Sequence, residues 1–401
     1  MGALWAGIDA GRRAHHCVVI DDAGSLVLSQ RVENDERRLL DLLATVLGLA
    51  DGQSVTWATD LNAGGAAPLI AMLQAHHQPL LYIPGRLVHH ASATYRGDGK
   101  TDAKDARIIA DQARMRTDLT PLLAADQAAV ELRLLTSYRT DLTYDRVRMI
   151  NRLRALLLEY FPALEAAFDY SKKAPLVLLA GYATPDAIRR MGATRLAAWL
   201  RARGCRNSAA MAEKAVAAAN AQHTTLATQN VGATLVAQLA AKITALDSEI
   251  ATLDVRISER LEHHRDAEII LSMPGFGPVL AATFIAATGG TMDTFATVNR
   301  LACFAGVAPV PHDSGRIAGN HHRPRRYNRQ LMRTCYLAAL SSLKNSPACR
   351  TFYDRKRREG KSHKQALIAL ARRRLDTLWA MLRERTLYDE PAPKTAAPRA
   401  A

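Results

Sequence analysis

Apolar and polar residues alternate with a period of two in three runs near the start of the chain, at 4–9, 16–20 and 26–32, and Asp22-Ala-Gly24 forms a turn between the last two. That period predicts a meander of three half-buried strands. The helical period follows over 35–49, and a short apolar run at 55–58 reads as a buried strand. A helix at 66–76, a strand at 79–83 and a helix at 102–116 complete the order βββαβαβα. In such a sheet the first and fourth strands lie parallel and adjacent, with helices on the faces. Beyond this point the pattern is helical, over 126–161 and again over 176–219, where Pro185 and Gly192 interrupt it. Leu239, Leu246 and Leu253 recur every seven residues, interleaved with Ile243, Ile250 and Ile257. This a/d pattern predicts a coiled-coil arm or a long helical hairpin, paired with 126–161, with a second subunit, or with both. The fold class is therefore α/β followed by α.

At 401 residues and 48% hydrophobic content, the chain has material for two or three domains with real cores. No apolar run approaches the ~18 residues of a membrane span, and no basic region with a cleavage site opens the chain, so a soluble cytoplasmic protein is expected. Five scattered cysteines without a Cys-x-x-Cys, and histidines mostly in adjacent pairs, indicate neither a disulfide framework nor a zinc site. The net charge of +15 is unevenly spread: residues 323–385 hold eighteen Lys and Arg against four acids. The runs Arg323-Pro-Arg-Arg326, Arg355-Lys-Arg-Arg358 and Arg372-Arg-Arg374 are interleaved with Tyr327, Tyr336, Phe352 and Tyr353. Solvated helix faces usually mix signs, so this footprint points to nucleic-acid phosphates.

Against that basic background stand four aspartates. Asp102 and Asp105, in Lys100-Thr-Asp-Ala-Lys-Asp-Ala106, share a helical face, where their Cβ atoms lie about 5–6 Å apart. Asp9 and Asp60 follow the first and fourth predicted strands. Singly, each fits an ordinary helix start or strand end. Together they outline a site for two Mg²⁺ (or Mn²⁺) ions ~3.5–4 Å apart, able to activate a nucleophile and stabilise a leaving oxygen. A small-residue loop, His312-Asp-Ser-Gly-Arg316, precedes the basic helices; Ser314 there is a candidate nucleophile, although Asp-Ser-Gly is also common turn composition. The glycines of Met273-Pro-Gly-Phe-Gly-Pro278 suit either a phosphate-approaching helix hairpin or a plain turn. Gly99-Lys100-Thr101 mimics the end of a P-loop, but Thr94 stands where its first glycine belongs, which argues against ATP binding. No Gly-x-Ser-x-Gly or His-Glu-x-x-His occurs.

Read in order, these motifs resemble the IS110/IS1111-type transposases, or DEDD recombinases, over nearly the whole chain. The resemblance rests on Gly7-Ile-Asp9, Asp60, Tyr82-Ile-Pro-Gly85, Tyr95-Arg-Gly97 and the Lys100 to Ala106 run, then Met273-Pro-Gly-Phe-Gly277, Phe304-Ala-Gly-Val-Ala-Pro309 and Ser314-Gly315. It implies a RuvC-like RNase H fold with a DEDD metal site over 1–120, a helical and coiled-coil region over 121–265, and a mostly helical C-terminal transposase domain over 266–388. The tail, 389–401, is expected to be disordered. The resemblance also implies a metal tetrad of Asp9, Asp60, Asp102 and Asp105 and a nucleophilic Ser314. The second acid of the family pattern is Glu; Asp60 is one methylene shorter, which leaves either direct or water-bridged metal contact open.

Two activities follow. One is a DNA transposase or recombinase that cuts and rejoins strands through a serine–DNA intermediate. The other is a RuvC-like junction-resolving nuclease using metal-activated water. In the first, Arg316, Arg323, Arg325 and Arg326 would surround the attacked phosphate, Arg355, Lys356, Arg357 and Arg358 would bind the backbone, and the acids and Ser314 would form a composite site. The resemblance further implies a homo-oligomer, dimer or tetramer, acting on DNA at the nucleoid. In some family members a structured guide RNA is a further partner.

Overall fold

The computed structural model describes residues 3–95, 99, 101–122, 126–311, 314–315, 320–322 and 324–390. The chain divides into two compact units, Met1–Asp126 and Gln127–Ala401.

In the first unit, β1 (Leu4–Ala10), β2 (Ala14–Ile20) and β3 (Leu26–Glu33) form the expected antiparallel meander. Helix α1 (Glu36–Ala50) starts at Asp35, whose side chain accepts a hydrogen bond from the Arg38 N–H, and buries Leu39, Leu42, Leu43 and Val46. That spacing makes one apolar face. Strand β4 (Val55–Thr59) runs parallel to β1, with Ile8 opposite Thr59, as the element order predicts. Helix α2 (Ala67–Ala75) returns the chain to β5 (Leu80–Tyr82), parallel to β4. Two more helices, α3 (Gly85–Ser92) and α4 (Asp102–Met115), precede β6 (Thr120–Pro121), antiparallel to β5. The six-stranded order is β3-β2-β1-β4-β5-β6. The pleat divides the core in two: Cys17 and Val19 join Leu4, Ala6 and Ile8 against α1 and α2, while Val18 and Ile20 meet Ala106 and Ala110 of α4. The sequence pattern did not contain α3 or β6.

Among its described residues the second unit is helical, apart from one short hairpin. Helix α5 (Gln127–Tyr160) is followed by α6 (Pro162–Ala167), α7 (Lys173–Gly181), α8 (Pro185–Ala202), α9 (Ser208–Asn220) and α10 (Gln229–Glu262). Pro185 opens α8 at its first turn, where a missing N–H costs nothing, and Gly192 kinks it at φ 69°. Helices α5 and α10 pair antiparallel: Glu131 meets Arg260 at 2.6 Å, Arg139 pairs with Asp254, the Tyr138 hydroxyl donates to Glu249 at 2.7 Å, and Arg146 pairs with Asp247. The heptad residues of α10 therefore have an intrachain partner, and Ile243, Leu253 and Ile257 are buried.

Two cores form at opposite ends of this pair. At one end, Leu153, Leu157 and Tyr160 of α5 and Val236, Ala240 and Ile243 of α10 pack with α6–α9. At the other, Leu132, Ile257 and Leu261 join α11 (Ala267–Ser272), α12 (Pro278–Thr288), α13 (Val298–Phe304) and the last helices. After α13, β7 (Val310–Pro311) and β8 (His321–His322) form an antiparallel hairpin, then α14 (Arg329–Asn345), α15 (Pro347–Arg358) and α16 (His363–Glu384) close the bundle. The Met273-Pro-Gly-Phe-Gly turn serves packing here: a Cβ on Gly275, at φ 88°, would lie 2.3 Å from the Ala338 carbonyl oxygen of α14. Among the described residues no helix is long and apolar enough to cross a membrane. The tail from residue 391 lies outside the described residues.

Candidate active site

Asp9 stands near the end of β1 and Asp60 directly follows β4, so the parallel pairing of these strands places the two acids on neighbouring strand ends. The third acid arrives by a close approach. A Cβ on Gly7 would lie 2.3 Å from both the Ala106 carbonyl oxygen and the Ala110 nitrogen. Glycine lets α4 lie against the β1 backbone, and Asp105 precedes Ala106 on that helix. Thr101 fixes where α4 begins: its backbone is extended and its hydroxyl accepts a hydrogen bond from the Lys104 N–H at 3.1 Å.

Asp9, Asp60 and Asp105 consequently line one cavity of about 360 Å³, together with Gly85, His89 and Ser92 of α3 and with Lys104. All three acids are half-buried. Asp102 is exposed and is not part of this lining, so of the four aspartates the structure gathers three. As placed, no three His, Cys, Asp or Glu side chains among the described residues stand close enough to ligate one ion. The donor set is nonetheless all carboxylate oxygen, the chemistry that suits Mg²⁺ or Mn²⁺.

The electrostatics of Asp60 follow from its burial and its neighbours. Burial pushes its carboxyl above the usual carboxylate range, and repulsion from Asp105 adds to this. Hydrogen bonding to backbone N–H groups opposes the shift; one is the Ala10 N–H, which donates to Asp60 Oδ1 at 3.2 Å. His15 also opposes it by charge. That histidine is 1% exposed, lies opposite Ala10 across the β1–β2 pair, and is held below its ordinary pKa by burial, against the pull of Asn34 and Asp60. A repelling, partly desolvated pair such as Asp60 and Asp105 is relieved by a cation.

The nucleophile candidate lies in the other unit. Ser314 is exposed in the connection between β7 and β8, followed by Gly315 at φ 52°. Arg316 and Arg323 lie outside the described residues, as do Arg96 and Gly97 of the Tyr95 motif; Arg325 and Arg326 are exposed. Arg355, Lys356, Arg357 and Arg358 form the last turn of α15. Arg355, Lys356 and Arg373 surround the Phe352 ring at 5.0, 5.7 and 4.9 Å from its centroid. Glu359 neutralises part of this cluster through Lys356 at 2.7 Å, which holds the Glu359 carboxyl below its usual range.

Known proteins decide the family. A DEDD transposase model of the IS110 type matches residues 6–162, and a model of the IS116/IS110/IS902 transposase family matches residues 267–354. The insertion element IS900 uncharacterized 42 kDa protein of Mycobacterium paratuberculosis is 60% identical, over 98% of this chain and 99% of that one. This chain belongs to the IS110 family of transposases. The IS116 uncharacterized 44.8 kDa protein of Streptomyces clavuligerus is 47% identical over 98% of both chains. The mini-circle putative transposase for IS117 of Streptomyces coelicolor is 29% identical over 96% of this chain and 95% of its own. As a transposase, the chain acts on DNA by phosphoryl transfer.

Three neighbours of the transposase's acids escaped the motif reading: His15, His89 and Ser92. His15 had a signal. In the alternating β2 strand, one member of the His15-His16 pair must face the core. His89 and Ser92 had none, because α3 itself was not expected.

Proposed function

We propose that this transposase cuts and rejoins DNA strands by metal-assisted attack of Ser314 on a backbone phosphate. The observation that carries the reading is the meeting of Asp9, Asp60 and Asp105 at one cavity in a chain of this family. These three acids, with Asp102 as the fourth, would hold Mg²⁺ or Mn²⁺, which when bound supplies charge neutralisation at the phosphate and acidity at a coordinated oxygen. The sheet of the first unit, three antiparallel strands continued by two parallel ones, supports reading it as an RNase H-like, RuvC-like domain and this use of its acids.

Ser314 is exposed, as attack on a DNA phosphate requires. Its oxygen gives up a proton and bonds to phosphorus, while the displaced sugar oxygen leaves and takes up a proton. The reverse attack by a sugar hydroxyl on the serine phosphodiester frees Ser314 and joins a new strand end. A lone serine hydroxyl is a weak nucleophile near neutral pH, so the reaction draws on residues of both units. Arg325 and Arg326 would balance phosphate charge.

The test is a covalent-adduct assay with full-length protein, Mg²⁺ and a DNA duplex carrying the element's ends. Wild type should yield a protein–DNA adduct resistant to denaturation. Ser314→Ala should lose the adduct and strand exchange while still binding DNA, and Asp105→Asn should lose strand cleavage. Recombination at the wild-type rate by Ser314→Ala would make water the nucleophile and put the resolvase-like reading in its place.

A further inference from the structure

The helices α6–α9 lie almost wholly in residues 163–266, the stretch between the two matched family segments. With the start of α10 they form a core of their own at one end of the α5–α10 pair. The acid cavity, Ser314 and the C-terminal basic run all lie outside them.

Residues 187–212, from α8 into α9, contain six arginines and no acid. Three of the six have work within the chain. Arg189 caps the end of α9 through the carbonyls of Ala219 and Gln222 and pairs with Asp186. Arg195 donates to the Met191 and Arg190 carbonyls at the Gly192 kink. Arg203 lies over Trp199, its guanidinium carbon 3.9 Å from the ring centroid, and donates to the Trp199 carbonyl. Trp199 is in turn fixed edge-on to Tyr182, at 4.9 Å between centroids. The other three, Arg190, Arg201 and Arg206, are exposed and have no ion pair among the described residues. Arg206 stands in the α8–α9 turn, which Gly204 at φ 72° and Asn207 at φ 55° bend.

An ordinary solvated face mixes signs, as the exposed Lys242, Arg256, Glu259 and Glu262 of α10 do. The outer face of α8 instead presents Thr194, Arg195, Ala198, Arg201 and Ala202, short side chains that leave the guanidinium groups unscreened. Arg203 is already held in place by its ring, so it loses less freedom on meeting a phosphate.

We propose that the α8–α9 end of this lobe is a second DNA-binding surface, which grips the phosphate backbone of duplex DNA through Arg190, Arg201, Arg203 and Arg206. The proposal rests on the DNA-recombining reading above. On α10, Ala240 in the lobe core and Leu261 in the C-terminal core are 21 residues apart, or about 30 Å of helix. The lobe and the C-terminal core are thus separate parts of the same helix pair.

The experiment measures binding of the full-length protein to a fluorescein-labelled duplex of arbitrary sequence, and to a hairpin RNA of the same length, between about 50 and 200 mM salt. The triple variant Arg190→Gln/Arg201→Gln/Arg206→Gln is compared with Arg355→Gln/Lys356→Gln/Arg357→Gln/Arg358→Gln. If the lobe contacts three phosphates through the changed residues, the log–log salt slope for the duplex should fall by about 2–3, and affinity near 100 mM by on the order of 10²-fold. A matching Arg→Lys triple should restore most of both, since lysine also neutralises phosphate. A lysine triple as weak as the glutamine one would make the loss structural and overturn the proposal. A slope unchanged by the lobe triple but flattened by the C-terminal variant would refute the lobe alone and leave the DNA reading standing. A larger loss on RNA than on duplex would refute DNA as the partner, and no duplex binding by wild type would sink both readings.

Discussion

Gly7 has the most exacting position in the first unit. Both atoms that its missing Cβ would strike, at 2.3 Å, belong to the backbone of α4, so no side chain can swing aside to make room. Gly7→Ala must push α4 away from β1, and Asp105 moves with it. The expected outcome is a loss of about 1–3 kcal/mol or more in unfolding free energy, the range for overpacking, with strand cleavage reduced further than the stability loss explains. Urea melts and a cleavage assay at a temperature where the variant is fully folded separate the two effects. Normal cleavage by a folded Gly7→Ala protein would show that the spacing between Asp105 and Asp9 is not critical. Asp60 adds a different constraint at this scale. Its carboxyl is shorter than the Glu of the family pattern, yet it is positioned by the Ala10 N–H and backed by the buried His15.

At the scale of elements, what the sequence made legible depended on length and period. The meander, the parallel β1–β4 pair and the long helices showed clear periodicity, and the adjacency of Asp9 and Asp60 followed from strand order alone. Helix α3 has eight residues and opens at Pro84-Gly85, a composition that reads as a turn, and β6 has two. Which face of α4 meets the cavity was not legible either, because the contact of Gly7 with Ala106 and Ala110 sets it. The heptads of α10 announced a helical partner without naming it. Ion pairs across more than 100 residues of sequence name it as α5. These pairs are partly exposed, so each contributes at most about 1 kcal/mol, and their larger effect is on register. Arg139→Glu should therefore lower stability by roughly 1 kcal/mol, and the swap Arg139→Glu/Asp254→Arg should recover most of it in a double-mutant cycle. Additive losses in the double variant would mean that the pair does not hold the register.

At the scale of the molecule, the α5–α10 pair also bears on assembly. Leu253 is committed to the chain's own interior, so a charge there would test folding more than association. Leu134 and Val147 of α5 and Val255 of α10 are instead 64%, 48% and 57% exposed. Exposed apolar side chains on a paired helix lose most from water if a second copy covers them. Holding two DNA segments at once, as the proposed joining of strand ends requires, is a capacity that two copies of the chain would supply. The expectation is that wild type is a dimer or tetramer by light scattering, and that Leu134→Glu/Val147→Glu lowers the mass without lowering the melting temperature. Strand exchange should fall with assembly, whereas binding to a single duplex should not. A wild-type monomer, with and without DNA, would remove the second copy from the reaction and leave the two-segment grip to the C-terminal cluster and the α8–α9 lobe of one chain.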